Sequence, residues 1–218
     1  MKLFQPQRRQ AFTIIDVLAI VLVVLLLAAI SLRMLGVSHR QCCKIGCVND
    51  LKEVGIAFRI WEGDNGDHFP MYVPVAIGGA QELIATGNVA GCFQVMSNEL
   101  STPKILLCPN DPINTAATNW NLSRTNISYF IGFDALEDIT PDSLLSGDDD
   151  LVQNGRAAAS GVVTLAGVKT TWTLDRHKGS GNVLNAEGNA QGVYAINGVG
   201  AKFEMNQPYP ATNRVVIP

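Results

Sequence analysis

The pattern of apolar and polar positions divides this chain into three parts, and the first is apolar on every side. Between Ala11 and Leu32 the polar side chains are only Thr13, Asp16 and Ser31. About 20 apolar residues in a helix, at 1.5 Å per residue, cross a hydrocarbon layer of ~30 Å. The pattern therefore predicts a membrane-spanning helix over residues 12–35.

The second part has the one-sided pattern of an amphipathic helix. Apolar side chains recur at steps of three and four, at Val48, Leu51, Val54, Phe58 and Trp61. The following stretch of acids, asparagine and glycines over 62–67 is typical of a turn that ends a helix. We expect a neck helix over 36–62, continuous with the preceding apolar one.

The third part, residues 63–218, is predicted to form an α+β head, in which residues 104–218 are rich in strands. Short β-branched or aromatic runs are separated by Gly, Asn, Asp and Pro. The candidate strands are Lys104–Leu107, Ile127–Phe133, Gly161–Ala166, Thr170–Leu174, Asn182–Ala186 and Gly192–Ala195. Glu187–Asn189 predicts a hairpin turn with Gly188 at positive φ, and residues 137–158 are expected to be irregular. The predicted class is α+β, with one long N-terminal helix packed on a small antiparallel β-rich head.

Charge follows the same division. Residues 1–11 contain three basic side chains and no acid, and residues 33–59 are also net basic. Residues 60–218 contain 8 basic and 16 acidic side chains, and the whole chain has a net charge of -3. A hydrophobic content of 47% excludes a wholly disordered chain, and the acidic balance argues against a nucleic-acid partner.

Asp16 is the unusual residue of the apolar segment, because a carboxylate near a membrane span is costly without a positive partner. Arg8 and Arg9 precede it and can neutralise it at the lipid headgroups. The second interpretation is that processing of the chain creates the partner, as a free α-amino group. A removable secretory signal peptide is a third reading of the same segment, favoured by the basic start and the small residues Ala28 and Ala29.

The segment from Arg8 to Leu18 resembles the class III leader junction of type IV pilins and type II secretion pseudopilins. That family has a short basic leader, a glycine, then Phe-Thr-Leu-Ile-Glu and an apolar helix; this chain reads Arg-Arg-Gln-Ala-Phe-Thr-Ile-Ile-Asp-Val-Leu. The resemblance implies cleavage between Ala11 and Phe12 by a prepilin peptidase, with methylation of the new Phe12 amine. Asp16 then occupies the acidic fifth position. The chain departs from the pattern in Ala11 for Gly, Asp16 for Glu and Arg33 for a helix-bending proline.

The rest of the chain resembles a large bacterial group of prepilin-like secreted proteins. The similar stretches are Cys47–Arg59, Asp64–Pro70, Glu99–Lys104, Leu107–Asp111 and Ser128–Gly132. Near the end, His177 is followed after nine residues by Glu187-Gly188, where the group has His-x9-Asp-Gly.

The resemblance implies a non-enzymatic subunit of a type IV pilus-like or type II secretion pseudopilus filament. It implies self-assembly through the N-terminal helices, with the pilus or secretion assembly machinery as partner. Such a subunit is held in the bacterial inner membrane by a single span, with its head exported to the periplasm or cell surface. The +3 leader favours a cytoplasmic N-terminus, although the basic neck argues mildly against it. The alternative is a membrane-tethered exported binding module that does not assemble.

Five cysteines and two acidic clusters are the other candidates for chemistry. In an exported head, Cys92 and Cys108 are the preferred disulfide pair, and Cys47 with Cys108 is the alternative. Two acidic clusters are candidates for binding calcium, Asp148, Asp149 and Asp150, and Asp64, Asn65 and Asp67, although neither cluster has EF-hand spacing.

Asp175, His177 and Ser180 contain the residue types of a catalytic triad, but sequence neighbours rarely give triad geometry. We expect His177 to be a surface or turn residue that organises the hairpin ending at Glu187.

Overall fold

The structure is a computed structural model that describes residues 14–135, 143–165, 168, 170–193 and 214–218, with residues 33–44 as helical backbone only. Residues 1–13, which include the predicted leader 1–11, lie outside the described residues. The chain divides into two compact units, Met1–Cys42 and Cys43–Pro218.

Helix α1, Ile14–Asp64, confirms that the two predicted helices form one continuous element. Its stretch Ile14–Leu32 has a mean hydropathy of 3.0, and none of its side chains is buried. This stretch is long and apolar enough to cross a bilayer. The helix ends where Asn65 Nδ2 donates to the Trp61 carbonyl over 2.7 Å and Gly66 follows at φ 73°.

The C-terminal part of α1 buries the predicted apolar face in the core of the second unit. Leu51, Val54, Phe58 and Trp61 are buried there, together with Cys47. The predicted position Val48 is only partly buried, and its neighbour Cys47 takes the buried position instead. The amphipathic pattern therefore located the packed side of the helix to within one position.

Short helices connect α1 to the strands. Two are α-helices, α2 (Gln81–Ala85) and α3 (Val89–Val95). The 3₁₀ segments are Pro70–Tyr72, Val75–Ile77, Pro103–Leu106 and Arg124–Asn126. The predicted strand Lys104–Leu107 was wrong, because Pro103 starts a 3₁₀ turn whose Thr102 hydroxyl accepts a hydrogen bond from Lys104 N.

The described strands form two sheets in which each pairing is antiparallel. They are β1 Tyr129–Gly132, β2 Leu144–Asp148, β3 Leu151–Gln153, β4 Arg156–Ala157, β5 Gly161–Thr164, β6 Thr170–Trp172, β7 Gly181–Asn185, β8 Ala190–Val193 and β9 Arg214–Ile217. The larger sheet has the order β5-β9-β1-β2-β7-β8, and the smaller has the order β4-β3-β6. The α+β class is confirmed.

Five of the six predicted strands are present, as β1, β5, β6, β7 and β8. The expectation of an irregular stretch over 137–158 was wrong where the structure describes it, since β2, β3 and β4 lie between residues 144 and 157. These strands contain Gly, Ser and Asp, yet β2 is buried along its whole length. Strand β9 was not predicted, although it pairs with both β1 and β5.

Alternate residues of the larger sheet enter two different cores. Tyr129 and Ile131 pack with α1 and the short helices, while Phe130 between them packs against the smaller sheet. Leu184 and Val183 of β7 divide in the same way. Strands buried on both faces explain why these runs are apolar without alternation.

Two glycines permit close packing around β7. A Cβ added to Gly181 would overlap the Trp172 indole, so this residue sets the approach of the two sheets. Gly188, at φ 88°, forms the β7–β8 turn, and its N–H donates to the Asn185 carbonyl over 3.0 Å. The predicted hairpin is confirmed.

Candidate functional site

A disulfide between Cys47 and Cys108 joins the C-terminal part of α1 to the loop that follows the Pro103–Leu106 turn. Their Cα atoms are 5.3 Å apart and both residues are fully buried. The preferred pairing of Cys92 with Cys108 was wrong, and the alternative pairing is confirmed. Cys92 faces the core from α3 as a free thiol, and burial raises its pKa.

His177 lies beside this disulfide in the turn between β6 and β7, with its side chain 1% exposed. Its Nε2 atom is 3.2 Å from Cys108 Sγ and 3.5 Å from Asp148 Oδ2. Its Nδ1 atom is 3.5 Å from the side-chain amide of Asn110. The expectation of a turn residue is confirmed and that of a surface residue is wrong, because the ring is packed between the disulfide and β2.

Asp148, the last residue of β2, is the acid that faces His177, and it is completely buried. Its Oδ2 atom accepts hydrogen bonds from Asn182 N and Nδ2 over 2.7 and 3.0 Å. Its Oδ1 atom is buried and has no hydrogen-bond partner among the described residues. Burial, then the nearby carboxylate of Asp150, raise the pKa of Asp148 to about 8.

Arg176 provides the positive charge of the same region and is 9% exposed. Its guanidinium donates to Asp149 Oδ1 over 2.6 Å and to Asp111 Oδ2 over 2.7 Å. It also donates to the Ser128 carbonyl over 2.9 Å and lies 3.8 Å from Asp150 Oδ1. One buried cation thus joins the end of β2, the start of β1 and the loop after Cys108.

The carboxylates around Arg176 differ in their pKa because their hydrogen bonds differ. Burial opposes ionisation of Asp111, but the Ser128 hydroxyl, the main-chain N–H groups of Asn114 and Ile113, and Arg176 together lower its pKa. Burial outweighs Arg176 at Asp149 and Asp150, and their pKa values are raised. The carboxylates in turn raise the pKa of Arg176 against the effect of its burial.

Of the two acidic clusters considered for calcium, one is largely buried and the other is exposed. Asp148, Asp149 and Asp150 end a buried strand, and the last two surround the Arg176 guanidinium, which supplies the counter-charge. In the other cluster, the Asn65 side chain caps α1, while Asp64 and Asp67 are exposed.

The structure does not assemble Asp175, His177 and Ser180 as a triad. Asp175 is exposed, and the Ser180 hydroxyl donates to the His177 carbonyl over 2.6 Å. Of the Glu187-Gly188 pair, Glu187 is exposed in the β7–β8 turn, where its carboxylate accepts from Asn189 Nδ2 over 3.2 Å. His177 contacts this hairpin at Asn182, with its Nε2 atom 3.4 Å from the side-chain amide.

The residues predicted to direct processing and assembly are at the N-terminal end. Ala11 and Phe12 lie outside the described residues. Asp16 is in the first turn of α1 and is exposed, as is the whole apolar stretch after it. The processing and assembly roles of these residues remain predictions.

Sequence reasoning missed Arg176, Asn182 and Asp111 as members of the buried site. Arg176 is adjacent to His177, and Asp111 lies in the quoted stretch Leu107–Asp111 that carries the family resemblance. The position of Arg176 directly before the motif residue His177 was the available indication.

A surface groove of about 490 Å³ lies elsewhere on the second unit. It is lined by the α2–α3 connection, by the segment Leu122–Arg124 and by the start of β5. Its mouth includes the Arg124 guanidinium, which donates to the Ser160 hydroxyl over 2.8 Å.

No family model, curated protein or solved structure matches this chain. The apolar helix, the groove and the buried site are the features of the molecule that bear on its role.

Proposed function

We propose that the protein is a non-enzymatic structural subunit of a type IV pilus-like or type II secretion pseudopilus filament, anchored in the membrane before assembly. The observation that carries this proposal is the apolar stretch Ile14–Leu32 of α1, whose side chains are all exposed within the described part of the chain. Such a surface requires a bilayer or other apolar helices around it. A bundle of these helices satisfies that requirement after the subunit leaves the membrane.

The cross-link in the second unit supports an exported head. Disulfides persist in oxidising compartments such as the bacterial periplasm and are rare in the cytosol. Cys47–Cys108 fixes the C-terminal part of α1 to the β-rich head. With a basic leader left on the cytoplasmic side, the subunit has a single pass through the bacterial inner membrane.

Processing and assembly are linked in this proposal through Asp16. A prepilin peptidase removes residues 1–11, and the α-amino group of Phe12 becomes available. In the filament core the Asp16 carboxylate meets this amine, in its own subunit or a neighbour. A paired charge is far less costly to bury than a separate one, so the helices are favoured in the register where the pair forms.

The first experiment measures the mature N-terminus. Full-length protein is purified from membranes of a host that has a prepilin peptidase, and its intact mass is determined. Cleavage before Phe12 is expected, and it should become more complete in Ala11→Gly, which restores the family glycine. Retention of Met1 in both proteins would contradict the processing step.

The second experiment tests assembly by crosslinking in membranes. Wild-type protein should give a ladder of multimers, and Asp16→Asn should remove it because the carboxylate charge is lost. Ser31→Ala is the matched control within the same apolar stretch, and its ladder should be unchanged. An equal ladder from Asp16→Asn would remove Asp16 from the assembly model.

The alternative function is a membrane-tethered exported binding module, and the groove beside Arg124 is the observation that favours it. A concave surface with one cation and several polar groups is a typical ligand site. The crosslinking experiment separates the two functions, since a module that does not assemble gives monomer in wild type and in both variants.

A further inference from the structure

Three strong metal-ligand atoms converge in the buried site. Cys47 Sγ, Cys108 Sγ and His177 Nε2 all lie within 4.8 Å of one another, and all three residues are buried. A set of two cysteine sulfurs and one imidazole nitrogen favours zinc over calcium or magnesium, which prefer oxygen ligands.

We propose that Cys47, Cys108 and His177 bind a zinc ion when the disulfide is reduced, with the Asp148 carboxylate as the fourth ligand. The disulfide and the zinc complex are then alternative states of one site. Both states join α1 to the head, one through a covalent bond and the other through the metal.

Two separations from the His177 ring in the oxidised site are already close to those of a tetrahedral complex. Zinc bonds of about 2.3 Å to sulfur and 2.0–2.2 Å to nitrogen or oxygen place N and S about 3.5 Å apart, and N and O about 3.4 Å apart. The observed separations from His177 Nε2 are 3.2 Å to Cys108 Sγ and 3.5 Å to Asp148 Oδ2. Zinc binding requires the two sulfurs to separate from bonding distance to about 3.8 Å by rotation of the cysteine side chains. The Asp148 carboxylate, which lies outside the group of three ligand atoms within 4.8 Å of one another, must also move towards the sulfurs.

The surroundings of the four groups fit a metal site. Asn182 holds the Asp148 carboxylate through two hydrogen bonds, while the buried Asp148 Oδ1 accepts none from the part of the chain that the structure describes. The Asn110 side chain lies next to the other ring nitrogen of His177. Second-shell contacts of this type fix the orientation of metal ligands.

Charge also favours a divalent cation in the reduced site. Two thiolates and one carboxylate carry three negative charges, and zinc leaves a complex of charge −1 near the Arg176 guanidinium.

The conversion between the two states balances as follows. A phosphine reductant and one water convert the Cys47–Cys108 disulfide to two thiols, and the phosphine becomes its oxide. Zinc then binds the two sulfurs as thiolates and Asp148 as a carboxylate, and it releases to solvent the two thiol protons and the proton held by Asp148 below a pKa of about 8. A newly synthesised chain has thiols at both positions, so it reaches the zinc state without a reductant.

The test uses the full-length chain in detergent, with Cys42, Cys43 and Cys92 replaced by serine so that Cys47 and Cys108 are the only thiols. The protein is reduced with the phosphine, freed of excess reductant without oxygen, and titrated with Co²⁺ and then Zn²⁺. We expect one Co²⁺ per chain, with the absorption of a tetrahedral site that has sulfur ligands, and its displacement by Zn²⁺. The oxidised protein is the matched control and should bind neither ion.

Single substitutions test each ligand. His177→Ala is expected to weaken zinc binding at least about a hundred-fold, and Asp148→Asn about ten- to a hundred-fold. Arg124→Ala, in the distant groove, should leave the affinity unchanged.

Circular dichroism of each reduced variant shows whether its helices and strands are kept. If a folded His177→Ala protein binds cobalt with the wild-type spectrum and affinity, the proposed site is wrong. If His177→Ala does not fold, Asp148→Asn decides, and an unchanged affinity and spectrum would refute the four-ligand site. Absence of tetrahedral cobalt binding by the reduced parent would also refute it, whatever the state of filament assembly.

Discussion

Reduction of the Cys47–Cys108 disulfide should lower the stability of the second unit by an amount set by the length of the loop it closes. The two residues are 61 positions apart, and both are buried. Cross-linking a loop of that length removes enough entropy from the unfolded chain to stabilise the fold by about 4 kcal/mol at 25 °C. Comparing the oxidised and reduced forms of one chain keeps the core packing the same, which a cysteine substitution does not.

The assay is urea unfolding of the full-length chain in detergent, followed by the near-ultraviolet circular dichroism of the buried Trp61 and Trp172. A metal chelator is present throughout, so that the reduced site stays empty. With a urea dependence of about 2 kcal/mol per M, the midpoint of the reduced form should fall by about 2 M. Cys92→Ala lowers both midpoints by removing a buried side chain, but it should leave their difference unchanged.

A difference below about 1 kcal/mol between the two forms would refute the loop-entropy argument. Such a small difference would mean that contacts between α1 and the head limit the conformations of the reduced, unfolded chain as much as the covalent bond does. A protein with both Cys47 and Cys108 replaced by alanine should show no difference between oxidising and reducing conditions.

The remaining predictions concern charge and close packing in the second unit. Arg176→Met leaves buried carboxylates without their cation and should cost about 3–5 kcal/mol in urea unfolding at pH 7. Burial, then Glu53, raise the pKa of Asp50 to about 6. Ionisation of Asp50 therefore destabilises the fold as pH rises from about 4 to 6. Asp50→Asn should increase the free energy of unfolding at pH 7 by about 1 kcal/mol and remove this loss of stability between pH 4 and 6. Gly181→Ala should cost about 1–3 kcal/mol and alter the near-ultraviolet signal of Trp172, which its methyl group would overlap.

Each of these predictions has a matched control. Arg156→Met removes an exposed cation from β4 and should change stability by less than about 0.5 kcal/mol. Asp64→Asn, on the exposed end of α1, should change the stability at pH 7 by less than about 0.5 kcal/mol. Gly63→Ala, with open space around the added carbon, should leave the tryptophan signal unchanged. Equal effects of test and control would contradict the buried contacts on which each prediction rests.

The strand predictions show where sequence reasoning succeeds and where it fails. Ile127–Phe133 was predicted correctly as β1 because its β-branched and aromatic residues prefer a pleated, buried surface. β2 has the sequence Leu-Leu-Ser-Gly-Asp, which is typical of a loop. Its ladder with β1 and β7, and the hydrogen bonds that Asn182 gives to Asp148, are what make such a strand possible.

The candidate site shows more clearly still that the sequence indicates individual residues but not their contacts. The sequence indicated His177, Cys108 and Cys47 separately, but not that their side chains meet. It favoured Cys92 as the partner of Cys108, because nearness in sequence was the only measure of nearness in space. Helix α3 instead directs the Cys92 thiol into the core.

What the sequence determined by itself is local in origin: the apolar run Ile14–Leu32, the amphipathic face of α1, the hairpin turn at Gly188 and the α+β class. Each depends on side chains a few positions apart, whose spacing matches the period of a helix or strand. Only the tertiary structure decided the Cys47–Cys108 pair, the burial of Asp148 and the position of β9. These depend on packing and hydrogen bonds between residues separated by tens of positions. The periodicity of the sequence does not predict such contacts, because it reflects only residues a few positions apart.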